Sequence, residues 1–120
     1  MSERGPWKAR PTMYRGIQMR SRLEARIAAG LDDRGCDWEY EPAAYGGRGG
    51  QYLPDFLVRG TAAGDIFLEV KPTVETALAV LPKMQIIRES IPDALLIVQV
   101  VGIGAYQLRR GEDHWRWFLT

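Results

Sequence analysis

The sequence predicts an α/β domain, a mixed β-sheet flanked by helices, and three observations indicate this class. The apolar run Leu95–Val101 is rich in branched residues, which is typical of a central strand covered on both faces. A helical segment that begins at Thr73 separates this run from the predicted strand Ile66–Lys71, so the three form a strand–helix–strand crossover. Shorter stretches in which apolar and polar residues alternate extend the sheet on either side.

The first helix is predicted over Ser21–Asp33. Ser21 is a candidate N-cap residue, and Glu24, three positions later, completes the pattern of a capping box. An apolar stripe recurs along the segment at helical spacing, formed by Leu23, Ile27 and Leu31. This stripe would pack on the sheet, with Glu24 near its edge.

The remaining elements are predicted from alternation and from turn residues. Strands are expected at residues 38–41, 52–58, 66–71, 95–101, 105–109 and 115–119. The glycine-containing linker 59–65 favours a hairpin between the second and third of these strands. The second helix begins at Thr73, and Pro82 either kinks it or starts a further helix that ends near Ser90.

Length and composition indicate a single domain without a membrane partner. The chain has 120 residues, of which 46% are hydrophobic and 26% are charged, as in ordinary globular proteins. No apolar stretch has the length of a membrane span. The N-terminus lacks the apolar segment of a signal peptide, so a cytoplasmic location is expected.

Cysteine and histidine are too rare to build the usual transition-metal sites. The single cysteine excludes an internal disulfide, and the single histidine argues against a histidine-based zinc site. Any metal must therefore be held by carboxylates, which are the ligands of hard cations such as Mg²⁺ and Mn²⁺.

Basic residues are concentrated at the start of the chain. Residues 1–26 contain seven Lys and Arg and two acidic residues, a net charge of +5, whereas the rest carries −4 within a total of +1. We interpret residues 1–16 as a basic irregular arm and residues 17–120 as the folded domain. Such an arm indicates a polyanionic partner, and a solvated leader is the alternative.

Two acidic residues and a lysine lie on neighbouring predicted strands. Asp55 follows Pro54 in an otherwise apolar strand, while Glu69 and Lys71 share one face of the next strand because strand side chains alternate. Hairpin pairing would place Asp55 across from Glu69. Adjacent carboxylates repel each other unless a cation joins them, which favours a divalent metal held by both, with the Val70 carbonyl as a third ligand.

Glu24 and Lys71 complete this predicted site. Glu24, at the edge of the helix stripe, can reach the metal, and Lys71 can position a water molecule or stabilise charge on a phosphate. The alternative for each motif alone is structural, since Glu-x-Lys on a strand is often an exposed ion pair and Pro-Asp is often a turn. Their occurrence in this order, after a helix that carries a glutamate, favours a functional site.

Pro54-Asp55, thirteen intervening residues and Glu69-Val70-Lys71 resemble the signature of the PD-(D/E)XK nuclease superfamily. A helix with Glu24, then Tyr52-Leu53-Pro54-Asp55-Phe56, then the Glu-x-Lys strand is similar to the phage endonuclease I type of Holliday-junction resolvase and to related small phage and bacterial nucleases. The similarity extends over roughly residues 14–101.

This resemblance implies a restriction-endonuclease-like core and Mg²⁺-dependent hydrolysis of DNA phosphodiester bonds, with Mn²⁺ able to substitute. Asp55 and Glu69 would be metal ligands, Lys71 the catalytic lysine, and Glu24 a further contact to metal or water. Resolvases of this type are symmetric dimers, but this chain is shorter than most and lacks an obvious bridging segment.

Basic and polar side chains around the predicted site are candidate DNA contacts. Phosphate contacts are expected from the arm and the first helix, at Arg15, Arg20, Arg22 and Arg26. On the second helix, Lys83 and Gln85 could assist the metal or the phosphate, and ordinary exposed positions are the alternative.

The first hypothesis for function is a metal-dependent DNA endonuclease that acts on branched or duplex DNA, alone, as a homodimer or with a partner subunit. The alternative is a catalytically inactive nuclease-fold module that binds DNA or serves in a larger DNA-processing complex. A third interpretation is purely structural and treats Glu69 and Lys71 as a simple ion pair. The complete acid–acid–lysine set favours the enzyme, because a module without catalysis has no need for repelling carboxylates.

Overall fold

The computed structural model describes residues 10–119, and in this range the chain forms an α/β fold with a mixed six-stranded sheet, two α-helices and two small hairpins. The elements in chain order are β1 (Thr12–Tyr14), β2 (Ile17–Met19), α1 (Arg22–Asp33), β3 (Asp37–Tyr40), β4 (Tyr45–Gly47), β5 (Gly50–Tyr52), β6 (Phe56–Thr61), β7 (Gly64–Lys71), α2 (Val74–Met84), a 3₁₀ helix (Gln85–Glu89), β8 (Leu95–Val100), β9 (Gly104–Leu108) and β10 (Arg116–Leu119). The predicted α/β class is confirmed.

The main sheet has the spatial strand order β10–β9–β8–β7–β6–β3. Strands β7 and β8 run parallel and are joined by α2, which is the predicted crossover, and the other neighbouring pairs are antiparallel. The sequence order of helices and main-sheet strands also agrees with the prediction, because α1 and α2 are each followed by three such strands.

The two described helices cover opposite faces of the main sheet, each over its own apolar cluster. Helix α1 packs over a cluster built from Met19, Ala28, Phe56, Leu68 and Val70. Helix α2 and the 3₁₀ helix pack over a larger cluster that includes Leu57, Phe67, Met84, Leu96 and Val98. Because side chains alternate along β7, Glu69 and Lys71 share the α2 side of the sheet with Phe67.

Helix α1 begins at the predicted serine cap. The Ser21 hydroxyl accepts a hydrogen bond from the Glu24 N–H at 3.2 Å, which is one half of a capping box. The other half differs, since the Glu24 carboxylate accepts from the N–H of Arg20 rather than from that of Ser21. The first turn of α1 thereby holds Glu24 with only 7% of its surface exposed.

The predicted irregular arm is in part a β-hairpin. Its residues 1–9 lie outside the described range, but β1 pairs with β2 through the turn at Arg15 and Gly16. The Tyr14 hydroxyl donates to Asp32 Oδ2 at 2.5 Å, which ties the hairpin to α1. The prediction of an irregular segment is wrong for residues 12–14, because three-residue strands are too short to show a period and contacts with α1 order them.

The predicted strand 52–58 is two strands separated by a bend. Strand β5 ends at Tyr52 and β6 begins at Phe56, with Leu53-Pro54-Asp55 between them. Proline fixes φ and cannot donate a ladder hydrogen bond, so the chain leaves the small hairpin here and joins the main sheet. The bend places Asp55 directly before β6 rather than within it.

Helix α2 is capped as predicted by Thr73, which forms a capping box with Thr76. The helix continues through Pro82 to Met84 and tightens into the 3₁₀ helix, so the proline does not start a separate α-helix. Neither helix in the described range has the length and apolar character needed to cross a membrane.

Candidate functional site

Asp55 and Glu69 lie opposite each other across β6 and β7, as the predicted hairpin requires. Phe56 pairs with Leu68 in the antiparallel register, so Asp55, one residue earlier, faces Glu69, one residue later. The Asp55 N–H donates to Glu69 Oε1 at 3.2 Å, and the Val70 N–H donates to Asp55 Oδ2 at 2.8 Å. Both acids are buried, with 1% of Asp55 and 4% of Glu69 exposed.

Burial raises the pKa of both carboxyl groups. For Asp55, the neighbouring charges of Glu69 and Glu24 raise the pKa further. Burial also raises the pKa of Glu69, although a hydrogen bond from Tyr52 and the charge of Lys71 oppose the shift. Two ionised carboxylates are therefore unfavourable here, and a divalent cation between them would remove the conflict.

Glu24 joins this pair from α1. Its Oε1 accepts from the Tyr40 hydroxyl at 2.7 Å and from the Arg20 N–H at 3.0 Å, so the carboxylate is held in one orientation. It lies close enough to Asp55 to raise the pKa of that carboxyl group. Side chains from the two faces of the sheet meet at Asp55 because this residue lies at the strand end, directly before β6 begins.

Two basic groups lie beside these carboxyl groups. Lys71 Nζ lies 3.6 Å from Glu69 Oε2, and the lysine side chain is 29% exposed. Arg20 Nη2 lies 3.2 Å from Asp55 Oδ1, while its Nε lies 2.8 Å from Glu41 Oε2. The site therefore combines buried carboxyl groups with a half-buried ammonium and an exposed guanidinium.

Three side chains around the carboxyl groups were missed by sequence reasoning: Tyr40, Glu41 and Tyr52. Burial, followed by the hydrogen bond to Glu24, raises the pKa of Tyr40 to about 12. Burial, followed by the charge of Glu69, raises the pKa of Tyr52. The available signal was strand pairing, because Tyr40 pairs with Phe56 in the register and therefore lies beside Asp55.

Lys83 and Gln85 are not brought to this site. Both lie at the C-terminal end of α2, whereas Glu69 and Lys71 precede its first turn. The helix has 11 residues, which at the usual rise places its ends roughly 16 Å apart. Gln85 Oε1 instead accepts from Trp115 Nε1 at 3.2 Å. The structure therefore places these two residues away from the acids, because a crossover helix runs back from the strand ends that carry them.

The other predicted DNA contacts lie on the α1 side. Arg22 and Arg26 are exposed one turn apart on the helix. Arg15 Nε lies 3.4 Å from Asp32 Oδ2, and Arg15 lines an open cleft of about 510 Å³ beside Tyr40. The cleft is also lined by three acidic residues, Asp32, Asp37 and Glu39. Their charge makes the cleft a poor place for a polyanion.

Two carboxylates and a main-chain carbonyl are the donors that the site offers a cation. Among residues 10–119, no group of three or more His, Cys, Asp or Glu side chains is arranged as a metal centre. Asp55 and Glu69 nevertheless suit a hard cation, because both carboxyl groups are buried and the charge of Glu69 opposes ionisation of Asp55. The Val70 carbonyl remains the predicted third donor, with water or phosphate oxygens to complete the shell.

Comparisons of the chain with family models, with curated proteins and with solved structures gave no match. The carboxylate site is therefore the feature of this chain that points to a function.

Proposed function

We propose that this chain is a metal-dependent DNA endonuclease with a restriction-endonuclease-like core. The proposal is carried by the buried carboxyl groups of Asp55 and Glu69, which are joined by a 3.2 Å hydrogen bond from the main chain of one to the side chain of the other. The Lys71 ammonium lies 3.6 Å from the second acid. Placing two like charges side by side in a buried site costs stability, and a catalytic role explains why the chain tolerates this cost.

The carboxylates of Asp55 and Glu69 would hold Mg²⁺ or Mn²⁺ together with the Val70 carbonyl, and Glu24 would contact the metal or its water. Such a cation, when bound, polarises a phosphodiester and lowers the pKa of a coordinated water. Hydrogen bonds from the Val70 N–H and the Tyr40 hydroxyl already fix the carboxyl groups of Asp55 and Glu24. Less ordering is then needed when the cation binds.

Lys71 is the residue suited to the negative charge that develops during cleavage. In hydrolysis, a water oxygen bonds to phosphorus, the bond from phosphorus to the leaving sugar oxygen breaks, and a proton passes to that oxygen. A compact ammonium stabilises charge on the phosphate, most strongly where it is partly shielded from water. The Lys71 ammonium lies 3.6 Å from Glu69 Oε2, a contact that would keep it beside a phosphate bound at the site.

DNA is the substrate class that the surrounding charges favour. Arg20 lies at the mouth of the site, and Arg22 and Arg26 continue along the exposed side of α1. Phosphate contacts of this kind give affinity without base reading, which suits branched or duplex DNA. A homodimer or a partner subunit would supply the choice of target to so small a domain.

A second candidate is a nuclease-fold module that binds DNA without cutting it. One observation favours it, because Arg20 and Lys71 already pair with Asp55 and Glu69 and offset part of their repulsion in the absence of metal. Such a module would serve as a subunit of a larger DNA-processing complex.

Cleavage of a panel of labelled DNAs separates the two candidates. Supercoiled plasmid, linear duplex, single strand, flap and four-way junction are each incubated with Mg²⁺, Mn²⁺ or EDTA. The endonuclease is expected to cut only with metal, and Asp55→Ala should bind DNA but not cut it. Binding of DNA without cutting under every condition would favour the module.

A further inference from the structure

The Arg20 guanidinium lies over the carboxylate site and provides a positive charge there. Its Nε is 2.8 Å from Glu41 Oε2 and its Nη2 is 3.2 Å from Asp55 Oδ1. The arginine side chain is 62% exposed, whereas the Asp55 side chain is 2% exposed. The guanidinium thus reaches a buried acid from the solvent side.

The main chain of Arg20 is held more firmly than its guanidinium. Its N–H lies 3.0 Å from both Glu24 Oε1 and the Tyr40 hydroxyl oxygen, directly before the Ser21 cap of α1. Exposed side chains change rotamer rapidly, and Glu41 provides a second carboxylate on which the guanidinium can remain. Arg20 can therefore leave Asp55 without disturbing the backbone of the site.

Both oxygens of Asp55 already have partners, one on the main chain and one on Arg20. Oδ2 accepts from the Val70 N–H at 2.8 Å, and Oδ1 accepts from Arg20 Nη2 at 3.2 Å. A cation shared by Asp55 and Glu69 needs a lone pair of Asp55 and repels a guanidinium at that distance. Metal and guanidinium therefore compete for the same carboxylate.

We propose that Arg20 is a phosphate-binding residue that metal binding releases. Without a divalent cation, the guanidinium donates to Asp55 Oδ1; with one bound, the guanidinium leaves Oδ1, stays near Glu41 and becomes available to a DNA phosphate at the mouth of the site. Metal and DNA then raise each other's affinity, because each removes a contact that opposes the other. This inference rests on the proposed function, since it requires that the carboxylates bind a metal.

Metal affinity in the absence of DNA gives the first test. Calorimetric titration with Mn²⁺ compares the wild-type chain with Arg20→Gln and with Arg59→Gln, a matched control whose guanidinium pairs with Glu39 at 3.0 Å on the surface. Loss of the competing guanidinium is expected to tighten Mn²⁺ binding about fivefold in Arg20→Gln, with no change in Arg59→Gln. Equal Mn²⁺ affinities of Arg20→Gln and the wild type would overturn the inference.

The guanidinium of the unaltered chain gives the second test, by NMR with ¹⁵N-labelled arginine. The Nε–H signal of Arg20, assigned through its loss in Arg20→Gln, is expected to shift on saturation with Mg²⁺ more than the other arginine signals do. It should shift again when a duplex with phosphorothioate linkages is added. An Arg20 signal that stays in place at saturating Mg²⁺ would contradict the release of this side chain.

Failure of this inference can be told apart from failure of the proposed function. A chain that binds Mn²⁺ and cuts DNA, but in which Arg20→Gln leaves Mn²⁺ affinity unchanged, refutes only the role of Arg20. A chain that binds no Mn²⁺ in calorimetry and cuts no DNA with Mn²⁺ present refutes both.

Discussion

The main-chain N–H of Asp55 donates to Glu69 Oε1 across 3.2 Å, so the position of one acid is set by the other. In return, the strand that carries Glu69 fixes the Asp55 carboxyl through the Val70 N–H. The two acids are interlocked and buried, with a raised pKa for each. This arrangement has consequences for cleavage, for stability and for their pH dependence.

Replacing Asp55 by asparagine should abolish metal-dependent cleavage while preserving the fold. The amide oxygen can still accept from the Val70 N–H, but the charge that would hold a cation is lost. We expect cleavage to fall by about 1000-fold or more, with a circular dichroism spectrum like that of the wild type. Asp113→Asn, in which the replaced side chain is 99% exposed, is the matched control and should cut normally. Residual cutting by Asp55→Asn near the wild-type rate would contradict the assignment of this carboxylate.

The stability of the metal-free chain should fall as pH rises. A carboxyl group whose pKa is higher in the folded than in the unfolded state favours folding fully below its unfolded pKa of about 4, and this contribution disappears as pH rises through the folded pKa. Because the pKa of Asp55 is raised by burial and by Glu69, urea unfolding in EDTA should show a decline from pH 5 into the alkaline range. Each unit of pKa difference corresponds to about 1.4 kcal/mol.

Two comparisons isolate the cause of that decline. Asp55→Asn should show a flatter dependence on pH than the wild type, and saturating Mg²⁺ should restore stability to the wild type at alkaline pH. A wild-type profile that is flat in EDTA, or that Asp55→Asn does not change, would mean that the buried acid is not responsible.

Two lysines near opposite ends of α2 should differ sharply in their effect on cleavage. Lys71 lies beside Glu69, whereas Lys83 lies at the other end of the helix. Lys71→Met should reduce the cleavage rate about 100-fold or more and leave affinity for DNA within about threefold. Lys83→Met should cut at nearly the wild-type rate. Equal losses in the two variants, measured under single-turnover conditions, would show that charge alone rather than position matters.

The Tyr40 hydroxyl should stabilise the protein through Glu24. Tyr40→Phe removes a 2.7 Å hydrogen bond to a buried carboxylate, which typically costs about 1–3 kcal/mol of the free energy of unfolding. Tyr106→Phe is the control, because Tyr106 packs its ring against that of Trp117, with the ring centroids 4.6 Å apart and the planes tilted by 53°. Similar unfolding free energies for Tyr40→Phe and the wild type would indicate that Glu24 is held by other contacts.

Arg88 should be a structural residue of the opposite end of the fold. Its guanidinium donates to main-chain carbonyls at the ends of β8 and β9 and in the loop before β10, those of Ala94, Leu108, Arg109 and Glu112. The ammonium group of a lysine cannot donate to all of these carbonyls at once as the planar guanidinium does. Arg88→Lys should therefore lower the free energy of unfolding by about 2–4 kcal/mol. Arg116→Lys, which alters an exposed pair with Glu112, should change it by less than about 0.5 kcal/mol.

Much of the fold follows from signals that act over a few residues. Ser21 and Thr73 cap the helices as their spacing predicts, and the crossover from β7 to β8 follows from an apolar run after a helix. The opposition of Asp55 and Glu69 was also predictable, because alternation and hairpin register are local rules. The apolar residues around Pro54 predict one continuous strand, yet the proline marks the bend that places Asp55 directly before β6.

The remaining features depend on how separate layers pack, which no short pattern encodes. The contact of Arg20 with Asp55 spans 35 residues of sequence, and that of Tyr40 with Glu24 spans 16. Both exist because the segment from Arg20 into α1 meets β3 where β6 begins. The position of Gln85 beside Trp115 follows instead from the length and direction of α2. Local patterns in the sequence are sufficient to predict the class of fold and the pair of acids. The contacts of the glutamate, tyrosines and arginine that surround these acids become evident only in the packed structure, because such contacts are set by register and layer geometry rather than by spacing along the chain.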